Sequence, residues 1–215
     1  MLLAFDTATP AVTVALHDGT AVVADEFAVD ARRHGELLAA TIDRVLVAAG
    51  ATRRDLTAIA VGTGPGPYTG LRAGLVTARV LGSALGIPVD GICTLDVIAA
   101  DAAGQAGGRE FLVATDARRK ELYWARYAAD GQRITGPEVS SMSELPDGLP
   151  VAGPGALLYP ETGATPVPPE YPAAARLAAL SARRQQAGLP PGPPEPLYLR
   201  RPDAREPGQR KRVTP

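Results

Sequence analysis

What this 215-residue chain lacks says a good deal about it. Cys93 is its single cysteine, so no intrachain disulfide can form and a reducing compartment fits best. His17 and His34 are its only histidines, and they fall in different elements. No His-x-x-x-His, His-Glu-x-x-His or Cys/His cluster can be assembled from them, which excludes zinc and iron sites of those types by counting. Neither sign of charge dominates: 22 basic side chains face 23 acidic ones, for a formal net charge of -1. A chain so balanced is not a nucleic-acid clamp over its whole surface. Aromatics make up 5% of the residues, so the core must come mainly from Ala, Val and Leu. No uncharged apolar run free of Gly and Pro is long enough for a transmembrane helix. The start, Met1-Leu2-Leu3-Ala4-Phe5-Asp6, has no basic stretch before its first acid and does not read as a signal peptide. A soluble cytoplasmic protein, with one large core or two small ones, is expected.

Glycine and proline, by contrast, are plentiful, and the glycines concentrate in Gly62-Thr63-Gly64-Pro65-Gly66-Pro67-Tyr68-Thr69-Gly70-Leu71-Arg72. An apolar run, Leu56 to Val61, precedes this stretch, and an Ala/Leu/Val segment reaching Gly86 follows it. Strand, glycine turn, helix is the reading. Such a turn either lets the backbone approach something closely or presents amide N–H groups to an anion. The named phosphate motifs fail, because Thr69-Gly70-Leu71 stands where a Walker loop has Gly-Lys-Ser/Thr, and Pro67 where a dinucleotide fingerprint has glycine. A structural turn packing the helix against a sheet is the stronger reading, with a ligand site as the alternative.

The remaining pattern reads as βββαβαβα. Leu2–Phe5, Val12–Leu16 and Ala21–Val29 are strands, with Asp18-Gly19 as a hairpin turn. His34 to Gly50 has apolar residues three and four apart and is a helix, as is Gly70 to Leu85. Val89–Ile92 is a short strand, and Thr94 to Ala103 a helix with Thr94 available as N-cap. Gly104-Gln105-Ala106-Gly107-Gly108 is a joint, dividing a domain of residues 1-103 from a smaller one of 104-201. In the second domain Phe111–Thr115 and Leu122–Ala128 are strands around Asp116-Ala117-Arg118, repeating the opening of the chain around Asp6-Thr7-Ala8. Residues 136 to 170 are rich in Pro and Gly, with one short strand at Val151-Ala152-Gly153. Pro172 to Ala187 is a helix with Pro172 in its first turn, and Pro190 to Pro196 an extended linker. Residues 202-215 are expected to be a solvated, disordered basic tail.

Candidate chemistry is sparse. Cys93 ends an apolar strand and reads as a small core residue. Ser83, Ser140, Ser141, Ser143 and Ser181 lack a Gly-x-Ser-x-Gly setting, so no triad can be assigned. Asp6, Thr7 and Asp116 are the weak candidates for a nucleotide-binding cleft, with Asp6 and Asp116 facing each other if the halves pack as duplicates. Asp6 is equally a good turn residue. Small and apolar residues on the two long helices exceed what one sheet face needs, so one helical side could face a partner.

In this order, Asp6-Thr7-Ala8-Thr9, Arg33-His34-Gly35-Glu36-Leu37-Leu38, the stretch Gly62 to Arg72, Thr115 to Tyr123 and Pro196-Leu197-Tyr198-Leu199-Arg200 resemble the TsaB (YeaZ) family. The resemblance runs from the first strand to about Arg201, and the glycine stretch is its most specific part. It implies an α/β fold of the actin-like ATPase (ASKHA) superfamily, with two duplicated domains each opening on an antiparallel meander. It implies a scaffold without catalytic residues, metal or cofactor of its own. That scaffold would hold a TsaD-like paralogue in a heterodimer and help recruit a TsaE-like ATPase, for threonylcarbamoylation of the adenosine beside the anticodon of tRNA. It would meet tRNA only through that complex and no membrane. The metal-binding histidine pair of TsaD has no counterpart in the helix from Thr94, which argues against peptidase activity. The partner face implied comprises His34, Leu37, Leu38, Thr41, Val45, Ala73, Gly74, Thr77, Ala78 and Leu81, through which isolated subunits would also pair as homodimers. The alternative is an enzyme of the same fold, a small-molecule kinase or hydrolase acting alone.

Overall fold

The structure, a computed structural model, describes residues 1–30, 33–160 and 164–200. The expected tail, 202-215, lies outside the described residues. Leu2 to Phe5 is apolar throughout, and both faces of that strand are buried. It becomes the centre of a sheet made of β1 (Leu2–Asp6), β2 (Ala11–His17), β3 (Val22–Val29), β4 (Ala58–Gly62) and β5 (Val89–Ile92). The order is β3-β2-β1-β4-β5, with β1, β2 and β3 an antiparallel meander and β4 and β5 added in parallel.

Strand periodicity decides what covers each face. Leu3, Phe5, Val14, Leu16, Ile59 and Val61 point to one side and form a single cluster with α1 (His34–Ala48) and α2 (Tyr68–Leu85). Leu2, Ala4, Ala58 and Ala60 point to the other, where α5 (Ala174–Gln186) packs through Leu177, Ala178 and Ala182. Alanine on both partners lets α5 lie close to the sheet. α2 stops at Gly86, which takes the left-handed conformation (φ 66°) that favours glycine after a helix.

A second sheet repeats the plan, from β6 (Phe111–Asp116), β7 (Glu121–Tyr127), β8 (Arg133–Ser141), β9 (Val151–Ala152) and β10 (Pro166–Val167). Its order is β10-β9-β6-β7-β8, again a meander plus parallel strands on the side of the first strand. Asp6 ends β1 and Asp116 ends β6, the same place in each sheet. Two sheets of identical topology make this a duplicated α/β fold, each half opening on an antiparallel meander. The helices cross between the halves. α3 (Thr94–Ala102) lies on the second sheet with Leu95, Ile98, Ala99 and Ala102 against Phe111, Val113 and Tyr127. α5, last in sequence, lies on the first. The short α4 (Gly155–Leu158) covers the far face of the second sheet through Ala156.

Three local expectations are corrected. Thr94 is not an N-cap: Cys93 holds that position without a side-chain bond, and the Thr94 hydroxyl is used elsewhere. Pro172 precedes the N-cap Ala173 and lies outside the helix. Residues 133–141 form a nine-residue strand despite Gly136 and Pro137, because β8 is an exposed edge where proline's missing N–H costs no ladder bond. The segment read as a linker, 190–196, is extended but anchored: Gly91 donates to Gly192 O (2.9 Å), and Gly192 donates to Asp90 Oδ1 (2.7 Å). Among the described residues no helix is long and apolar enough to cross a membrane.

The glycines of the turn are positioned for contact rather than flexibility. A β-carbon at Gly62 would overlap the Asp6 carboxylate, at Gly66 the Ala8 carbonyl, and at Gly70 the Thr7 carbonyl. Gly66→Ala and Gly70→Ala should each destabilise by about 1–3 kcal/mol or more, since backbone must move. Gly104→Ala, with open space at the β-carbon, should be neutral or slightly stabilising. Urea unfolding of the three variants checks the contrast.

Candidate functional site

The turn after β1 and the turn after β4 meet with almost nothing between them. Asp6 is fully buried; its Oδ1 accepts from Ala8 N (2.7 Å) and its Oδ2 from the Thr94 hydroxyl (2.7 Å). The same Thr94 oxygen accepts from Gly64 N (3.1 Å), and Thr94 N donates to Gly64 O (2.8 Å). One threonine side chain therefore joins the start of α3, the glycine turn and the β1 turn. The Thr7 hydroxyl donates to Gly70 O (2.7 Å) in the first turn of α2. His34 Nε2 donates to Thr9 O (2.8 Å), bringing α1 to the same point.

Burial pushes the Asp6 carboxyl above its ordinary value of 3.8, opposed by the Ala8 N–H, the Thr94 hydroxyl and the charge of His34. A buried carboxylate with these partners is a structural knot, not a group open to a ligand. The sequence candidates separate accordingly. Asp6 and Thr7 are sealed inside the first lobe. Asp116 remains partly exposed, its Oδ1 accepting from Arg118 N (2.7 Å) and its Oδ2 lying 3.3 Å from the Arg118 guanidinium. Asp6 and Asp116 do not face each other across open space, because the glycine turn fills the room in front of Asp6. Sequence reasoning missed Thr94 as the hub. Its only sequence signal, a hydroxyl at a helix start, suggests capping.

Cys93 is buried, and burial together with the nearby Asp96 charge pushes its thiol up to about 12, so it carries no thiolate near neutrality. His17 accepts from Gly19 N through Nδ1 in the β2–β3 turn, far in the chain from His34. Among the described residues no group of three His, Cys, Asp or Glu side chains is placed to hold a metal ion.

The ten residues expected at a partner face are split by the fold. His34, Leu38, Thr41, Val45, Gly74 and Ala78 are buried within the subunit, turned toward the sheet or the facing helix, and cannot meet a partner. Leu37, Ala73, Thr77 and Leu81 are partly exposed. The outward stripe consists instead of Val76 (59% exposed) and Val80 (61% exposed), flanked by Ala73 and Thr77. Val76, Thr77 and Val80, with Ala39, Ile42, Arg53 and Leu81, line a shallow depression of about 290 Å³ between α1 and α2. Helical periodicity located the helices but could not say which of two apolar sides the sheet would claim.

Fold and site together define a two-lobed protein of duplicated α/β topology, with the turn beside its first strand closed by packing and an apolar stripe on its outer helix pair. The family model of TsaD, tRNA N6-adenosine threonylcarbamoyltransferase, matches residues 25–167. An uncharacterized protein of Mycobacterium tuberculosis (strain H37Rv) is 45% identical over 95% of this chain and 93% of its own length. The tRNA threonylcarbamoyladenosine biosynthesis protein TsaB of Escherichia coli is 38% identical over 62% of this chain and 57% of its own. The solved structure of YeaZ from Pseudomonas aeruginosa superposes with a TM-score of 0.78 at 27% identity, covering 92% of this chain and 99% of that one. The chain belongs to this family, on its TsaB (YeaZ) side.

Because Asp6 is held above 3.8 in the folded state, the folded protein binds its proton more tightly than the unfolded chain. Its contribution to stability is therefore greatest at low pH and declines as pH rises above 3.8 through the raised value. Asp6→Asn should flatten that part of the curve relative to the unmodified chain, and Asp6→Ala, which strands Ala8 N–H and the Thr94 hydroxyl, should destabilise by about 1–3 kcal/mol or more. Urea midpoints from pH 4 to 7 test both.

Proposed function

We propose that this protein is a non-catalytic subunit in tRNA threonylcarbamoyladenosine biosynthesis, holding a TsaD-like paralogue in a heterodimer to which a TsaE-like ATPase is recruited. The observation that carries this reading is the stripe of Val76 and Val80 on the outer face of α2, unpartnered within the chain, in a protein of this family. Two exposed valines one helical turn apart, beside Ala73 and Thr77, suit knobs-into-holes packing against another helix pair. The sealed Asp6 and the buried, protonated Cys93 support a scaffold role: neither is available to a substrate. In isolation the same stripe would pair two copies of this chain.

Val76→Glu and Val80→Glu should abolish co-elution with TsaD of the same organism while leaving thermal unfolding within a few degrees of the original. Leu38→Glu should instead unfold the subunit, since it buries a charge in the core. Undiminished co-elution of the Val76→Glu/Val80→Glu protein would place the contact elsewhere. Turnover of a nucleotide by the chain alone would overturn the scaffold reading.

A further inference from the structure

The rim between the two lobes gathers a row of cations, among them Arg118, which pairs with Asp116, and Arg200, which pairs with Glu121. The turn after β6 carries Arg118, Arg119 and Lys120, all exposed, with φ of 64°, 58° and 62°. Three successive non-glycine residues in the left-handed region are individually disfavoured. The turn has only to reverse the chain between β6 and β7, which glycine or asparagine would do without strain. Basic side chains are kept here at a conformational cost, and strain of this kind marks a functional surface more often than a structural one.

The other lobe meets this turn through the C-terminal segment. Leu197 N donates to Thr63 O (2.9 Å), which lays the segment over the glycine turn. The Tyr198 ring lies 4.7 Å from that of Tyr68, and Arg72 sits over both rings at 5.7 and 5.2 Å while donating to the Tyr198 hydroxyl (2.8 Å). The Tyr68 hydroxyl donates to Arg200 O (3.0 Å), and Arg200 donates to Ala117 O (3.0 Å) and pairs with Glu121. Arg72, Tyr198, Arg200 and the 118–120 turn therefore form one continuous strip across both lobes. Five cations face two carboxylates, Asp116 and Glu121, in a chain whose net charge is -1, so the rest of the surface is acidic by comparison. The sequence leaving this rim, 201–215, adds five more basic residues against Asp203 and Glu206.

An open row of cations with no enclosing pocket suits an extended polyanion rather than a small one. The part-exposed Tyr198, backed by a second ring and a guanidinium, adds a stacking surface for an unpaired base. We propose that this rim binds the phosphate backbone of RNA and is where tRNA rests on this subunit, the identity of the RNA resting on the function proposed above.

The test is fluorescence anisotropy with an unmodified tRNA transcript at 50–200 mM KCl, using the full chain. An Arg118→Asn/Arg119→Gly/Lys120→Gly protein, whose new residues accept left-handed backbone, should fold at least as stably. It should bind the transcript at least tenfold more weakly at 100 mM salt, with the log–log salt slope reduced by about 2–3. Arg72→Ala should reduce the slope by about 1. Unchanged affinity and slope in the triple variant would overturn the proposal. So would a chain ending at Arg200 that loses all binding, which would assign it to the tail, or equal competition by polyglutamate, which would indicate an acidic protein partner. Co-elution with TsaD, measured on the same proteins, separates the two readings. If it persists while RNA binding ignores the rim, the rim alone falls; if it is absent while binding depends on the rim, the heterodimer falls and the rim stands.

Discussion

Backbone-to-backbone contact between the β1 turn and the glycine turn is the constraint on which the rest of this protein depends. Four glycines, at 62, 66, 70 and 74, leave room for Asp6, Thr7 and Ala8 to lie directly against the strand end, the turn and the first turns of α2. With the side chains gone, the polar groups of the two turns can satisfy each other: Asp6 bonds Ala8 N and Thr94, Thr94 bonds Gly64, and Thr7 bonds Gly70. This fixes where α2 starts and how it is rotated, and so which of its residues face outward. It also occupies the space in front of the strand ends. A glycine-rich turn at a helix start, which elsewhere can cradle a phosphate, here accepts a neighbouring piece of its own chain.

The exchange of helices between halves has a similar consequence. The first sheet is closed by α5 and the second by α3, so neither half buries its apolar faces without the other. Asp90, buried at the far end of β5, accepts from Ser181 of α5 (2.8 Å) and from Gly192. The C-terminal segment is thus tied first to β5 and then to the glycine turn before it reaches the second lobe at Ala117. The two lobes are therefore joined by the exchanged helices and by this last segment together.

Much of the fold was legible in the residues. The apolar run Leu2–Phe5, the β-rich Val12–Leu16, the three-and-four spacing after His34 and the turn residues Asp18-Gly19 and Gly86 are local signals, and the strands and helices they mark form where expected. The repeat of an apolar strand ending in Asp at Asp6 and Asp116 pointed to the duplication that the two sheet orders display. The long strand at 133–141 was not legible, because Gly136 and Pro137 argue against a strand unless it is known to be an edge. Nor was the exposed stripe on α2, since Leu38 and Ala78 look as suitable for an outer face as Val76 and Val80 until the sheet has taken its side.

The sequence alone therefore determined the elements, their duplicated order and the family, because those rest on local backbone preferences and on motifs read residue by residue. Only the tertiary structure decided what the glycine stretch is for. Whether a glycine turn faces solvent, a ligand or another loop depends on what is packed against it, and Asp6, Thr7 and Thr94 come from segments far apart in the chain. The same holds for the rim, where Arg72 meets Tyr198 and Arg200 meets Ala117 only after both sheets have formed and the last segment has crossed between them.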